Sequence, residues 1–230
     1  MQNKTIPGAR LLTAVPYLSE GGRVIDVGTD HAYLPIYLVR EGIVSSALAC
    51  DINFGPIESA RANILAAGLA DKISTMQTDG LHGTETYNPD HIMIFGMGGE
   101  LIARILEEAP WTQQAHIDLV LQPMSRANTL RKWLTEHGFA ILGETISYED
   151  KYYQTIYARA GKIDVPYTEE ELILGRENLK HPSELFEGFL KHEIGVYEAI
   201  LRGKLRSAHA DTTDEIRILN FLKKRLETIE

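Results

Sequence analysis

Val24-Ile25-Asp26-Val27 is apolar and β-branched apart from its aspartate, and Gly28-Thr29-Asp30-His31 follows it directly. Ala32 to Val39 then offers apolar residues at helical spacing, so Gly28 falls on a strand-to-helix turn. Turns of this kind hold cofactors in open α/β sheets. A dinucleotide site requires a second glycine where this chain has Asp30, so that backbone can approach a pyrophosphate. A carboxylate there repels phosphate. S-adenosylmethionine carries a sulfonium cation and no phosphate, so an acid in the loop suits it. At about 4 Å and an effective dielectric of about 20, such a charge pair is worth roughly 4 kcal/mol before desolvation. The sign of that interaction selects S-adenosylmethionine over a dinucleotide.

Ligands of open α/β sheets bind beyond the carboxyl ends of the strands, so the other strand ends should converge on the same place. After strand one, Gly28 permits close backbone approach to the methionine portion of the cofactor, with Thr29 and Asp30 beside it. After strand two comes Asp51, 23 positions past Gly28 and placed to accept from the ribose hydroxyls. After strand three, Asp79 of Thr78-Asp79-Gly80 is placed to receive the adenine amino group. After strand four, Gly96-Met97-Gly98-Gly99 offers bare backbone where a substrate meets the methyl group. His31 is also readable as a plain loop residue, and Tyr33 as a core aromatic under the sheet edge.

The elements that position these residues alternate. Strands are expected at Arg23 to Val27, Ser46 to Asp51, Ile73 to Thr78, His91 to Phe95 and Ile117 to Gln122. Helices are expected at Arg10 to Leu18, Ala32 to Glu41, Pro56 to Ala67, Leu101 to Glu108 and Thr129 to Glu136. Alternation of this kind demands a parallel sheet with helices on both faces. Phe139 to Tyr148 and Tyr152 to Ala160 are joined only by Glu149-Asp150-Lys151, which makes a hairpin. A hairpin finishing a parallel sheet is the arrangement of the seven-stranded, class I Rossmann-like methyltransferase domain. After Pro166 the helical period takes over, with a capping box at Thr168 and Glu171. One stripe from near Pro182 carries Phe186, Leu190, Ile194, Tyr197 and Leu201; another carries Ile216, Leu219, Leu222, Leu226 and Ile229. These two helices, joined by a bend over Ser207 to Thr213, are expected to form an antiparallel, coiled-coil-like pair. The division is a cofactor-binding methyltransferase domain at 1–163 and a helical domain at 164–230.

The 230 residues, 44% hydrophobic and 24% charged, have the composition of an ordinary soluble protein. No apolar run reaches the roughly 20 residues that span a bilayer, and Met1 to Pro7 lacks a basic region followed by an apolar core. A cytoplasmic location is expected. The lone Cys50, in Ala47-Leu48-Ala49-Cys50, reads as a buried strand thiol, and no histidine pair has metal-ligand spacing with cysteine or acid support. No metal is expected. A net charge of −9 argues against a broad nucleic-acid-coating surface and leaves room for a local basic patch.

Asp26 to Pro35 and Gly96 to Gly99 resemble the bacterial tRNA (adenine-22-N1)-methyltransferases, the TrmK family. Asp51-Ile52-Asn53, Leu121-Gln122-Pro123 and the helical tail are similar too, so the resemblance runs along nearly the whole chain. It departs at Met124, where the family commonly has asparagine, at Gly8-Ala9-Arg10-Leu11 in place of Ser-Lys-Arg-Leu, and at Gly175-Arg176 in place of Gly-Pro. The resemblance implies methyl transfer from S-adenosylmethionine to adenine N1 in the D-arm of tRNA. It adds Asp26, His31, Ile52, Gly80, Met97 and Gly98 to the cofactor-binding residues. Asp30 is the first candidate for stabilising the positive charge that moves onto the ring, and Glu100 the second. Tyr33 is a candidate for stacking on a flipped base. For the RNA, Arg10, Gly99, Arg126, Arg131 and Lys132 near the pocket and Arg202, Lys204 and Arg206 at a helix end are candidate contacts. A small-molecule methyltransferase or another RNA methyltransferase shares the same cofactor residues, and a non-enzymatic nucleotide-binding protein is the alternative of another class. A monomer or weak dimer is expected.

Overall fold

The computed structural model describes residues 6–207 and 211–229. It opens with α1 (Ala9–Leu12) and a 3-10 turn at Val15–Tyr17. The single helix expected over Arg10 to Leu18 is therefore divided. Pro16 stands in the first turn of the 3-10 segment and has no N–H with which to continue an α-helix.

The strands and helices then alternate: β1 (Gly22–Val27), α2 (Tyr33–Arg40), β2 (Val44–Asp51), α3 (Phe54–Ala66), β3 (Ile73–Gln77), β4 (His91–Gly98), α4 (Gly99–Glu107), β5 (Asp118–Ser125) and α5 (Ala127–Glu136). The hairpin β6 (Phe139–Tyr148) and β7 (Tyr152–Ala160) closes the series with the expected limits. The seven strands lie in the order β3-β2-β1-β4-β5-β7-β6. From β3 to β5 neighbours are parallel, and β7 runs antiparallel to both β5 and β6. The strand order reverses between β1 and β4, so the ends of these two strands flank the crevice where such sheets take ligands.

Period-two alternation divides the strand residues between two cores. Ile25, Ile92, Ile94, Leu119 and Leu121 pack with Ile102 and Leu106 of α4 and Leu130 and Leu134 of α5. Val24, Ala47, Ala49, Met93 and Val120 pack with Leu38 of α2 and Ala60 and Ile64 of α3 on the other face. Cys50 is buried as expected, and burial pushes its thiol up to about 12, with Asp26 and Asp51 adding to the shift.

The tail holds α6 (Glu169–Leu174), α7 (Arg176–Lys180), α8 (Phe186–Lys204) and α9 (Thr213–Glu227). The Thr168–Glu171 capping box is formed in both directions. The longer helix starts at Phe186, later than Pro182 suggested. Lys204 pairs with Glu215 and Lys223 with Glu198, which makes α8 and α9 an antiparallel pair. Of the expected bend, residues 208–210 lie outside the described residues. Ile216 and Ile229 are exposed and Ile218 is buried in their place. The face of α9 is rolled because it packs on α6 and α8 together. Ile146 of β6 shares this third core with Ile173, Leu174, Phe189 and Leu222, so the tail is built onto the hairpin.

Candidate active site

Gly28 has φ +77°, and its N–H and that of Thr29 both donate to the Cys50 carbonyl, at 2.8 and 2.9 Å. This crosslink fixes the end of β1 to β2. Asp30 and Ala32 also take left-handed backbone, with φ of 51° and 56°. Strain of that kind, of order 1–3 kcal/mol per residue, persists where surrounding contacts dictate it and clusters at functional sites. Asn63 of α3 supplies one such contact, donating from Nδ2 to the His31 carbonyl at 3.0 Å. Nothing in the spacing of the chain marked Asn63 as a support for the loop.

Asp26 is buried at the end of β1, and burial raises its carboxyl to about 6; Asp51 adds to the rise and Thr29 works against it. The Thr29 hydroxyl is buried too and has no hydrogen-bond partner of good geometry. Asp51 accepts from the Asn53 N–H at 2.9 Å through Oδ1, a local bond that aims the carboxylate out of the strand end. Ile52 and Phe54 beside it are exposed, as is Asp79 after β3. Gly80, with φ +57°, turns the chain against Ile105 of α4. A buried hydroxyl, a buried acid and a glycine cradle at the end of β1, with the Asp51 carboxylate at the end of neighbouring β2, fit a ligand with an ammonium and a ribose. The expected cofactor residues Asp26, Gly28, Thr29, Asp51 and Ile52 thus stand at one edge, with Asp26 and Thr29 buried and Ile52 exposed.

β4 runs on through Gly96 to Gly98, beyond the expected stop at Phe95. Gly96, at φ +76°, bulges out of register, Met97 then faces Pro123, and Gly98 faces Ser125. A β-carbon on Gly99 would collide with the Arg126 carbonyl oxygen. The glycines therefore serve close packing between the ends of β4 and β5, while leaving Gly96 open.

Among the acids, Asp30 lies 3.5 Å from His31 Nε2, and its side chain is 70% exposed. His31 and Tyr33 face each other with ring centroids 5.3 Å apart. Tyr33 is 42% exposed, so it is no core aromatic. Glu100 is exposed at the start of α4, 4.0 Å from Arg126. Arg126 caps α5 in left-handed backbone, φ 57°. Lys132 is exposed and close to Glu136.

Arg131 corrects the sequence expectation. It is fully buried and bonded to Glu144, Gln154 and two backbone carbonyls, so it cannot touch an RNA phosphate. Its position in a polar helical stretch gave no sign of this, because the partners come from the β6–β7 hairpin and from the tail. Arg10 is half-buried: its guanidinium donates to Gln122 at 3.0 Å and lies over the Tyr153 ring. Gln122 in turn donates to the Arg10 carbonyl and to Thr155, clamping the N-terminal segment onto β5 and β7. At the end of α8, Arg202 stands near Glu198 and Lys204 is paired with Glu215, so acids temper the expected basic run; Arg206 is exposed.

A seven-stranded sheet of this order, with an acid-bearing loop at its switch point, defines a class I S-adenosylmethionine-dependent methyltransferase. The chain belongs more narrowly to the family described as TrmK, tRNA (adenine(22)-N(1))-methyltransferase, which it matches over residues 24–227. It is 35% identical to the tRNA (adenine(22)-N(1))-methyltransferase of Bacillus subtilis, over 96% of this chain and 94% of that one. Its fold matches Streptococcus pneumoniae Sp1610 in complex with S-adenosyl-L-methionine at a TM-score of 0.84, with 35% identity over 96% of this chain and all of the other. It also matches M. capricolum TrmK in complex with S-adenosyl-homocysteine at a TM-score of 0.80, with 27% identity over 97% and 99% of the two chains.

Proposed function

We propose that this chain methylates N1 of adenine 22 in tRNA, with S-adenosylmethionine as the methyl donor. The observation that carries the reading is family membership extending over residues 24–227, which takes in every strand-end loop of the site and the helical tail. When bound, S-adenosylmethionine supplies a methyl group activated by a sulfonium centre. Gly28, Thr29, Asp51 and Ile52 hold it, with Asp26, His31, Asp79, Gly80, Met97 and Gly98 around them.

Adenine N1 bears an in-plane lone pair that base pairing masks, so the target base is unpaired or flipped before it reacts. Once exposed, N1 is nucleophilic without help. The chain's contribution is alignment, an effect worth about 7–11 kcal/mol in well-oriented systems. Gly96 keeps its part of the approach to the methyl group free of a side chain, while the Met97 side chain lies against Gly28. Positive charge arrives on the adenine ring, and Asp30, with Glu100 as the alternative, stabilises it or accepts the amino proton. Tyr33 stacks on the base. Arg126 and Lys132 bind phosphates near the pocket, and Arg202, Lys204 and Arg206 bind them along the tail. The same reading takes the enzyme to be cytoplasmic, where its tRNA is, and monomeric or weakly dimeric.

Incubation with labelled S-adenosylmethionine and unmodified tRNA, followed by mapping of the modified base, tests this. Label at adenine 22 and none on free adenosine is expected. Transfer to the free nucleoside as efficient as to tRNA would overturn the reading in favour of a small-molecule methyltransferase.

A further inference from the structure

Arg131 has more hydrogen bonds than any surface role requires. Its Nε donates to Glu144 Oε1 at 2.6 Å and its Nη2 to Gln154 Oε1 at 2.6 Å, engaging β6 and β7 together. Its Nη1 donates to the carbonyls of Leu172 and Ile173, at 2.9 and 3.2 Å, in the last turn of α6. Glu144 completes the join, accepting through Oε2 from the Glu177 N–H of α7 at 3.0 Å. Gly175, between α6 and α7, leaves room for this carboxylate, since a β-carbon there would overlap Glu144 and Asn178. The Arg131–Glu144 pair is fully buried on both sides. Its field reaches α8, where burial lifts the half-buried Glu193 carboxyl to about 7 and Arg131 opposes the rise.

The other end of α5 belongs to the methyl-transfer edge. Arg126 caps that helix, its carbonyl packs against Gly99, and its side chain faces Glu100. Five residues of helix, roughly 7–8 Å, separate Arg126 from Arg131. One rigid helix therefore meets the catalytic loop at its start and the tail one turn later.

We propose that Arg131 is a positioning residue: through Glu144 and the α6 carbonyls it sets the angle of the helical tail against α5, so that tRNA held by the tail presents its target base to the Gly96–Gly99 edge. The proposal rests on the tRNA reading above for its consequence, though not for the latch itself. A guanidinium is required because three directions must be served by one planar fork; a lysine ammonium cannot span them. Breaking a buried pair by removing one partner is costly, whereas replacing both partners by apolar groups is often tolerated. R131K and the double variant R131M/E144L are therefore the two probes.

Two measurements separate the latch from the function. Spin labels at Glu136→Cys and Val196→Cys report the distance from α5 to α8, since Cys50 is buried and does not compete. A narrow distribution is expected in the parent, broadened by at least half in R131K or in R131M/E144L. Steady-state kinetics, run well below the unfolding midpoint, compare full tRNA with a D-arm hairpin too short to reach the tail. The KM for tRNA is expected to rise about tenfold, with hairpin kcat/KM and S-adenosylmethionine affinity within twofold of the parent. Unchanged distances and unchanged tRNA kinetics in the variant that folds overturn the proposal. Equal losses on hairpin and tRNA also overturn it, because Arg131 then acts on the core alone. Failure of the parent to methylate tRNA, with distances still broadened by the variants, defeats the functional reading and leaves the latch standing.

Discussion

The terminal methyl of Met97, near the end of β4, stands 2.5 Å from the place where a β-carbon on Gly28 would lie. The two strand ends on either side of the switch point are thus closed on each other as far as a glycine allows. Met97 can swing aside, but the Gly28 backbone at φ +77° cannot take a side chain without strain.

Gly28→Ala is therefore expected to lower stability by about 1–3 kcal/mol. Its S-adenosylmethionine affinity should fall by about tenfold or more, since 1.4 kcal/mol already corresponds to tenfold. Denaturant unfolding and titration calorimetry read the two effects, and wild-type affinity in a folded variant would refute the assignment of the cradle.

Asp26 makes a pH-dependent contribution of known sign. Its folded carboxyl titrates at about 6 against an ordinary value of 3.8, so above pH 6 the folded state holds a charge that burial disfavours. As pH falls from 6 toward 3.8 the folded state binds the proton first and the penalty is relieved. Asp26→Asn should raise the stability of the free protein at pH 7.5 by about 1–3 kcal/mol, with the gain vanishing near pH 4. Thermal melts of the two proteins across that range provide the check.

His91 acts in the opposite direction. Burial holds its imidazole below the ordinary 6.5; Asp118 and Asp90 oppose the shift and Arg159 adds to it. Its Nε2 accepts from the Ser19 N–H at 2.9 Å and meets the Ser19 hydroxyl at 2.7 Å, which fixes the neutral ring in place. The stabilisation is full above pH 6.5 and is lost as pH falls through the window below it, where the unfolded chain takes up the proton first. In the Asp26→Asn background, acid melts should show this loss uncompensated, and His91→Gln should flatten it.

Arg126 and Lys132 are exposed on α5, Arg126 beside the end of β4, and on the proposed function tRNA affinity should report them. Arg126→Asn keeps a residue that tolerates left-handed backbone, so with Lys132→Gln it removes charge with little strain. The double variant should reduce the slope of log affinity against log salt by about 1–2 while leaving S-adenosylmethionine affinity alone. An unchanged slope would remove both residues from the docking surface.

The sheet was legible because strand and helix periods alternate cleanly, and because three residues between two long β-branched runs leave room only for a hairpin. The strand-end acids were legible for the same reason, since topology dictates where strand ends meet. Three features were not. The extension of β4 to Gly98 depends on a bulge at Gly96, whose glycine reads equally as a turn. The burial of Arg131 depends on carbonyls 41 and 42 positions away, which no local pattern announces. The roll of α9, which exposes Ile216 and buries Ile218, depends on two partner helices at once.

The placement of β7 between β5 and β6 also orders the birth of the molecule. Among the described residues, β6 pairs with the parallel sheet only through β7, and β7 is the last strand. During synthesis β5 therefore keeps an open edge until residue 160 has emerged, and the pocket for Arg131 and Glu144 has no floor before Gln154 and no ceiling before the tail. A nascent chain stalled inside the hairpin presents a long apolar strand edge, the surface most prone to pairing with another copy.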